Sequence, residues 1–188
     1  PYEVNKGDAA KLVQKWVDSL SDEMQKGRGY SFFAVNKRLP KITKSFAEIP
    51  VKKVEKTKVG VVGEIYVKYS PLANNHLNEF LISEGCEPNV PGLLDFVLYC
   101  AVNTVVDSKL YDKKDKSTLA FTIGYDVLYK FQKQQIKVIE EHGVFQPPHD
   151  FEHLRKCADK YINQGVKMGE GWLITAEMAA LAETGTKN

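Results

Sequence analysis

Residues 58–71 read KVGVVGEIYVKYSP, and the prediction of the fold rests on this stretch. Its first part is a short, nearly continuous apolar run rich in β-branched side chains, which is typical of a strand buried on both faces of a parallel sheet. A polar turn that ends at Pro71 follows this run. We therefore expect an interior strand over 59–67, with the polar side chains of 63–71 at its carboxyl end.

The residues that follow predict a strand–helix–strand unit. Asn74 or Asn75 is placed to cap a helix that ends at Gly85, and 87–90 then has the composition of a second short strand. Parallel strands need a crossover connection, which is normally right-handed. The rest of the chain predicts helices at 8–26, 30–46, 93–106, 118–141, 151–161 and 169–182. The predicted fold class is α/β, with a small Rossmann-like parallel sheet flanked by many helices.

The polar segment 55–57 divides the chain into two predicted regions. Residues 1–54 are expected to form a helical N-terminal extension, in which Asp8 caps the first helix and Pro40 breaks or kinks the second. Residues 55–188 are expected to form the Rossmann-like lobe with a helical insertion. Because the chain begins at Pro1 without a methionine, we expect a piece of a longer protein, incomplete at the C-terminal end of this lobe.

Composition and charge favour an ordinary globular protein. The 188 residues include 26 basic and 24 acidic side chains, for a net charge of +2. The basic runs at 52–58 and 113–116 are short and diluted by acids, and we interpret them as solvated loops, the second within a loop over 113–117. No nucleic-acid partner is therefore expected. No apolar run approaches the roughly 20 residues that span a bilayer, and no signal peptide is visible, so we expect a soluble cytoplasmic protein.

The three cysteines indicate a reducing compartment. Cys86, Cys100 and Cys157 are odd in number, widely spaced and without a Cys-x-x-Cys pair. This pattern argues against a disulfide framework and against a self-contained zinc or iron–sulfur site. We expect each thiol to pack as a small hydrophobe. The alternative is that each is a single cluster ligand completed by other parts of the protein.

The turn after the predicted strand is the first candidate site. Ligands of open α/β sheets bind at the carboxyl ends of strands, and this segment offers a carboxylate, two phenols and an ammonium group there. The candidate binding residues are Gly63, Glu64, Tyr66, Lys68, Tyr69, Asn74 and Asn75. The helix N-terminus after the turn could hold an anion, but the absence of a Gly-x-Gly-x-x-Gly or Walker pattern argues against a nucleotide. The alternatives are a packed turn capped by the two asparagines and a surface that docks another domain.

A second candidate site lies in GEGWLITAEM, residues 169–178. Gly169 and Gly171 at the start of a helix allow the backbone to approach another group closely. Trp172 adds a large apolar surface that is suited to anchoring an interface. We take Gly169, Glu170, Gly171 and Trp172 as candidate binding residues. The alternative is close packing of this helix on a neighbour.

Residues 149–153, HDFEH, fit the letters of the inverted zinc-peptidase motif His-x-x-Glu-His. On a helix, His149 and His153 would share a face. However, two prolines directly precede His149 and place it at the very start of the helix, and no third ligand stands out. We interpret the segment as a polar helix start with Asp150 near the positive helix end. The alternative is a zinc hydrolase, which predicts one zinc ion per chain.

Part of the sequence resembles a known family, the 2-hydroxyglutaryl-CoA dehydratase/activator family. The similarity is to the 2-hydroxyacyl-CoA dehydratase-like region of the large CoA-substrate-specific enzyme activases, and it is carried by the segments 61–71, 74–75, 90–92, 95–96 and 169–178. The resemblance spans about residues 48–182. It implies Rossmann-like lobes with helical layers, fused to nucleotide-binding activator domains of the sugar-kinase/Hsp70 type. Such activators, in anaerobic bacteria, use ATP hydrolysis and a [4Fe-4S] cluster to push one electron into a dehydratase, which then dehydrates 2-hydroxyacyl-CoA thioesters by radical chemistry.

From this resemblance we expect a non-autonomous domain that is inactive alone and has no catalytic residue, metal ligand or cofactor of its own. The cluster and the ATP would belong to the parent protein, because the activator's phosphate-binding segments and the downstream cysteine motif are not in this sequence. The expected partners are other domains of the parent chain, a dehydratase or electron donor, and an acyl-CoA. Neither nucleic acid nor a membrane is expected as a partner. The alternative is a non-catalytic scaffold or interaction module of Rossmann-like shape.

Overall fold

A computed structural model describes residues 1–29, 31–112 and 116–186 of the chain. In chain order the elements are α1 (Asp8–Gln25), α2 (Phe32–Ala47), β1 (Lys58–Gly60), α3 (Ile65–Tyr69), α4 (Leu77–Ser83), β2 (Glu87–Asn89), α5 (Leu93–Leu110), α6 (Lys116–His142), α7 (Phe151–Asp159), a 3₁₀ turn (Met168–Glu170) and α8 (Gly171–Glu183). The two strands pair in parallel, with Lys58 opposite Glu87 and Gly60 opposite Asn89.

The predicted Rossmann-like sheet flanked by helices is wrong. Of the described residues, 64% are helical, and the only sheet that they form is a parallel pair of three-residue strands. The predicted order of strand, helix and strand is present between 58 and 89, but the interior strand expected over 59–67 ends at Gly60. Gly63 then adopts φ 151°, and the chain turns into α3.

Contacts made by α3 with distant residues explain why a β-rich segment is helical. A helix of five residues is not stable alone. The backbone N–H of Ile65, which has no partner within the helix, donates to Oε1 of Glu170 at 2.7 Å. Lys68 on the same helix forms a buried ion pair with Glu177. These tertiary contacts override the local preference for a strand.

The other predicted helices are present, with shifted ends. Gly7, not Asp8, precedes α1, and Glu3 accepts hydrogen bonds from the backbone N–H groups of Gly7 and Ala9. Tyr30, the expected start of the second helix, lies outside the described residues, and Ser31 caps α2 by accepting from the N–H of Ala34.

Pro40, which was expected to break or kink the second helix, does not end it, and α2 continues through it to Ala47. Of the loop expected over 113–117, residues 113–115 lie outside the described residues, and the remaining two belong to α6. Across the described ranges, no helix is both long enough and apolar enough to cross a membrane.

The chain divides into two compact units. The first combines Lys56–Lys130 with the described residues from His149 onward, and the second combines Tyr2–Glu55 with Phe131–Pro148. Helix α6 contributes residues to both. The core of the first unit is formed by α5, α7, α8 and the first part of α6, with Trp172 at its centre, 5.0 Å from the ring of Tyr99.

The second unit has a thinner core. Trp16 of α1 donates from Nε1 to the hydroxyl of Ser45 on α2, at 2.9 Å. Phe32 meets Phe131 edge to face, with ring centroids 4.7 Å apart. Neither α1 nor α2 contains a fully buried side chain among the described residues. This unit therefore gains less from apolar burial than the first.

Candidate functional site

The two candidate strings of the sequence meet in the first unit. Nζ of Lys68 lies 2.6 Å from Oε1 of Glu177, which is 109 residues away in sequence. Both side chains have 0% of their surface exposed. Together with the Ile65–Glu170 hydrogen bond, this pair brings residues 63–71 and 169–178 into one structure, which we call the joined site.

Two further carboxylates lie close enough to the Lys68–Glu177 pair to act on the charge of Glu177. Asp95 and Glu170 both interact electrostatically with Glu177, and Asp95 is itself buried. We call Lys68, Asp95, Glu170 and Glu177 the carboxylate cluster. One carboxylate oxygen of Glu170 and one of Glu177, Oε2 in each case, is buried without a hydrogen-bond partner among the described residues. The cluster thus concentrates negative charge where little water screens it.

Burial raises the pKa of Glu177 to about 7, and the charges of Asp95 and Glu170 act in the same direction. The hydrogen bond from Lys68 opposes this rise but does not cancel it. A carboxyl group of this pKa exchanges its proton near neutral pH. Because its side chain is fully buried, it does not contact a dissolved substrate. Its pairing with Lys68 fixes α8 against α3.

The two phenols of the first string have different surroundings. The hydroxyl of Tyr69 donates to the carbonyl oxygen of Pro91 at 2.5 Å, and Nζ of Lys68 lies 5.4 Å from the centre of the Tyr69 ring. Burial first, and then the charge of Glu177, raise the pKa of Tyr69. Tyr66, in contrast, is 64% exposed. Tyr69 therefore borders the carboxylate cluster, whereas Tyr66 faces solvent.

The glycines of the second string permit close contacts. Gly169 has φ 59°, and a Cβ placed on it would lie 2.7 Å from Oε1 of Glu64. A Cβ on Gly171 would lie 3.1 Å from the carbonyl oxygen of Val166. Glu64 itself is exposed at the start of α3 and is not part of the buried pair.

Trp172, which the sequence suggested as an interface anchor, is completely buried in the core. Its Nε1 donates to Oδ1 of Asn103 at 3.1 Å, so the polar edge of the indole is also satisfied within the chain. Its energetic role is core packing, and another domain cannot contact its ring in this conformation.

Asn74 and Asn75 shape the turn before α4. Asn74 donates from Nδ2 to the carbonyl oxygen of Val67 and accepts from the N–H of Leu77 through Oδ1. Asn75 has a left-handed backbone with φ 53°. Because Asn74 already occupies the free amide at the start of α4, the anion site considered there has no support from the geometry.

The described residues do not fit a [4Fe-4S] cluster. Such clusters are held mainly by several cysteine thiolates. Cys86 is half-buried, Cys100 is exposed and Cys157 is buried, and none belongs to the one group of three metal-ligating side chains within the described ranges. Burial also raises the pKa of the Cys157 thiol, which lowers its reactivity.

That group of three consists of His149, His153 and Glu183. The two imidazole rings stack with centroids 4.1 Å apart, and Nε2 of His153 lies 2.8 Å from Oε2 of Glu183. Burial and the neighbouring His153 lower the pKa of His149. Glu152, the glutamate of the motif letters, is instead bonded to Tyr125 and Arg155.

Sequence reasoning missed three acidic residues of these sites. Glu177 had a signal, because it shares the apolar face of its helix with Leu173 and Ala180, and a charge in such a position needs a partner. Asp95 belongs to a segment that carries the resemblance but was not taken as a site residue, and Glu183 carried no local signal. Glu183 reaches the histidines only because α8 packs along α7.

Comparisons with known proteins do not identify a family. No family model matches the chain, and no match was found among curated proteins or solved structures. A function is therefore inferred from the geometry of the joined site and from the resemblance of its two strings.

Proposed function

We propose that this chain is the 2-hydroxyacyl-CoA dehydratase-like region of a cytoplasmic protein of the CoA-substrate-specific activase type. In this proposal it is a binding lobe without chemistry of its own. The wider system would use ATP and an iron–sulfur cluster, both held outside the described residues, to deliver the electron that drives dehydration of 2-hydroxyacyl-CoA thioesters.

The observation that carries the proposal is the buried Lys68–Glu177 pair, with its 2.6 Å contact. The residues that resemble the dehydratase-like region lie in two distant strings, and this pair joins them. Removing two charges from water costs several kcal/mol per ion unless their geometry compensates. This contact between residues 109 positions apart holds the two strings in one structure, which supports their acting together.

The surroundings of the joined site support binding over catalysis. The ionisable groups of Lys68 and Glu177 are buried, whereas large apolar side chains beside the two strings are exposed. Tyr66 is 64% and Met168 92% exposed, and Leu72 is also exposed. Exposed apolar side chains next to a rigid polar core suit the docking of another domain or of an acyl-CoA.

The test uses the protein that carries this chain, purified without oxygen and mixed with a 2-hydroxyacyl-CoA dehydratase, ATP and a reductant. We expect ATP-dependent reduction of the dehydratase, followed by its absorbance and electron paramagnetic resonance. The Lys68→Met variant should lower this reduction. Lys44→Met is the matched control, because Lys44 forms an exposed pair with Glu48 at 3.8 Å.

Lys68→Met could lower the reduction of the dehydratase by disturbing the fold. Tyr66→Ala tests binding without this complication, because it removes an exposed ring and leaves the buried pair intact. If electron transfer does not depend on ATP, or if both variants transfer electrons as well as the control, the proposal is wrong. Dehydration catalysed by this chain alone would contradict its role as a binding lobe. Partner binding without any electron transfer would support the alternative, a non-catalytic interaction module, whose basis is the exposed apolar surface.

A further inference from the structure

We propose that His149, His153 and Glu183 form a binding site for a divalent transition-metal ion of the zinc type. The three side chains come from the segment before α7, the first turn of α7 and the last residue of α8. Their nitrogen and oxygen ligand atoms all lie within 4.8 Å of one another. This site is independent of the joined site and of the function proposed for it.

The distances leave room for one ion after small side-chain movements. Zinc ligands at about 2.0–2.1 Å in tetrahedral geometry are roughly 3.3 Å from one another. Nε2 of His153 and Oε2 of Glu183 are 2.8 Å apart, and the whole group lies within 4.8 Å. The ion would replace the direct contact between His153 and Glu183 with a bond to each of them.

The neighbouring residues orient two of the three ligands. Asp150 accepts from the backbone N–H of His153 at 2.8 Å, which fixes the first turn of α7. Glu183 is held through its other oxygen, Oε1, which accepts from Nζ of Lys160 at 3.0 Å and from Sγ of Cys157 at 3.7 Å. Oε2 therefore remains for the ion. Lys160 is exposed, so water and salt screen its repulsion of a cation.

The donor set selects the class of metal. Two imidazoles and one carboxylate suit zinc, or iron(II) in a facial arrangement, and leave a further position for water. Magnesium and calcium prefer oxygen ligands throughout. The site differs from that of a zinc peptidase in its motif glutamate, which in such enzymes is the general base. Here Glu152 is hydrogen-bonded to Tyr125 and Arg155 instead.

The test is calorimetric titration of the metal-free chain with Zn²⁺, with Co²⁺ absorption spectra as a second readout and Mg²⁺ and Ca²⁺ as comparison ions. We expect one Zn²⁺ per chain and no comparable binding of Mg²⁺ or Ca²⁺. His149→Ala, His153→Ala and Glu183→Gln should each weaken Zn²⁺ binding by at least about tenfold. An anaerobic titration with Fe²⁺ establishes which ion of this class binds more tightly.

The matched control is His76→Ala. His76 lies 2.5 Å from Glu79 on the surface, in a histidine–carboxylate pair that is not part of a group of three ligands. Because His149 lies outside α7, His149→Ala leaves that helix intact even if the His153 variant unfolds. If His76→Ala weakens binding as much as His149→Ala, or if Mg²⁺ binds as well as Zn²⁺, the result is an adventitious ion only and the proposal is overturned.

Discussion

Lys68 and Glu177 are both fully buried, so each depends on the other for its charge. Replacing Lys68 with methionine keeps the length of the side chain but leaves Glu177 without its cation. Breaking such a pair costs about 3–5 kcal/mol, and we expect the lower end of this range because Glu177 can bind a proton instead. Urea denaturation at neutral pH measures the loss in the free energy of unfolding.

The exposed pair of Lys44 and Glu48 provides the comparison. Lys44→Met should change the free energy of unfolding by no more than a few tenths of a kcal/mol, because exposed pairs contribute little. The double variant Lys68→Met, Glu177→Leu should recover most of the lost stability, since it removes both buried charges. If Lys68→Met and Lys44→Met lower the free energy of unfolding equally, the claim that burial makes the Lys68–Glu177 pair important for stability is wrong.

The raised pKa of Glu177 also predicts how the free energy of unfolding changes with pH. Its pKa is raised from 4.5 to about 7 in the folded chain, so the folded state binds more protons than the unfolded state between these values. The free energy of unfolding should therefore fall as pH rises from 4.5 to about 7, with a slope of at most about 1.4 kcal/mol per pH unit.

The lowered pKa of His149 acts in the opposite direction, adding stability as pH rises. Comparing the wild type with Glu177→Gln at each pH cancels this contribution and isolates that of Glu177. Identical pH profiles for the two proteins would show that Glu177 is ionised in the folded chain as it is in the unfolded chain.

Among the helices, α3 and α6 differ in what holds them. Helix α6 spans Lys116–His142, which is long enough for cooperative helix formation, whereas α3 has five residues and depends on Glu170 and Glu177. The residues that position these two acids are therefore part of what makes α3 a helix.

Replacing a glycine with alanine is expected to have opposite effects on stability at Gly124 and at Gly169. Gly124 lies inside α6, and a Cβ added there would meet nothing within 4 Å. Gly124→Ala should therefore stabilise the chain by about 1 kcal/mol through helix propensity. Gly169→Ala should instead destabilise it by about 1–2 kcal/mol, because Gly169 is left-handed and Glu64 would have to move. Thermal melting of both variants checks the two signs, and a loss of stability in Gly124→Ala would contradict the structure of α6.

In the whole molecule, the two tryptophans report on different units. Trp16 lies in the second unit, where α1 and α2 have no fully buried side chain among the described residues, and Trp172 lies in the core of the first. Because apolar burial is the main source of stability, the second unit should open first. In the Trp16→Phe variant, helix loss followed by circular dichroism should therefore begin at lower urea than the change in Trp172 fluorescence. Coincident transitions would show a single cooperative unit instead.

The sequence by itself determined most of the helices and the order of strand, helix and strand, but it extended the first strand to 67, whereas β1 ends at Gly60. Helices such as α1 and α7 follow from apolar side chains at helical spacing, and β1 and β2 follow from short runs bounded by turn residues. These are local signals, because each depends on neighbours a few residues away. The same signals also predicted a strand where α3 forms, since the β-branched residues at 59–67 favour one locally.

Only the tertiary structure decided that α3 is a helix and that the described residues form no sheet larger than the β1–β2 pair. It also decided which acids complete the carboxylate cluster and the group of His149 and His153. Ile65 and Lys68 find their partners in Glu170 and Glu177, more than 100 residues away. Glu183 likewise reaches His153 from another helix, across 30 residues of sequence. A contact between distant residues leaves no period or motif in the sequence, because its energy appears only after α3, α7 and α8 have packed together.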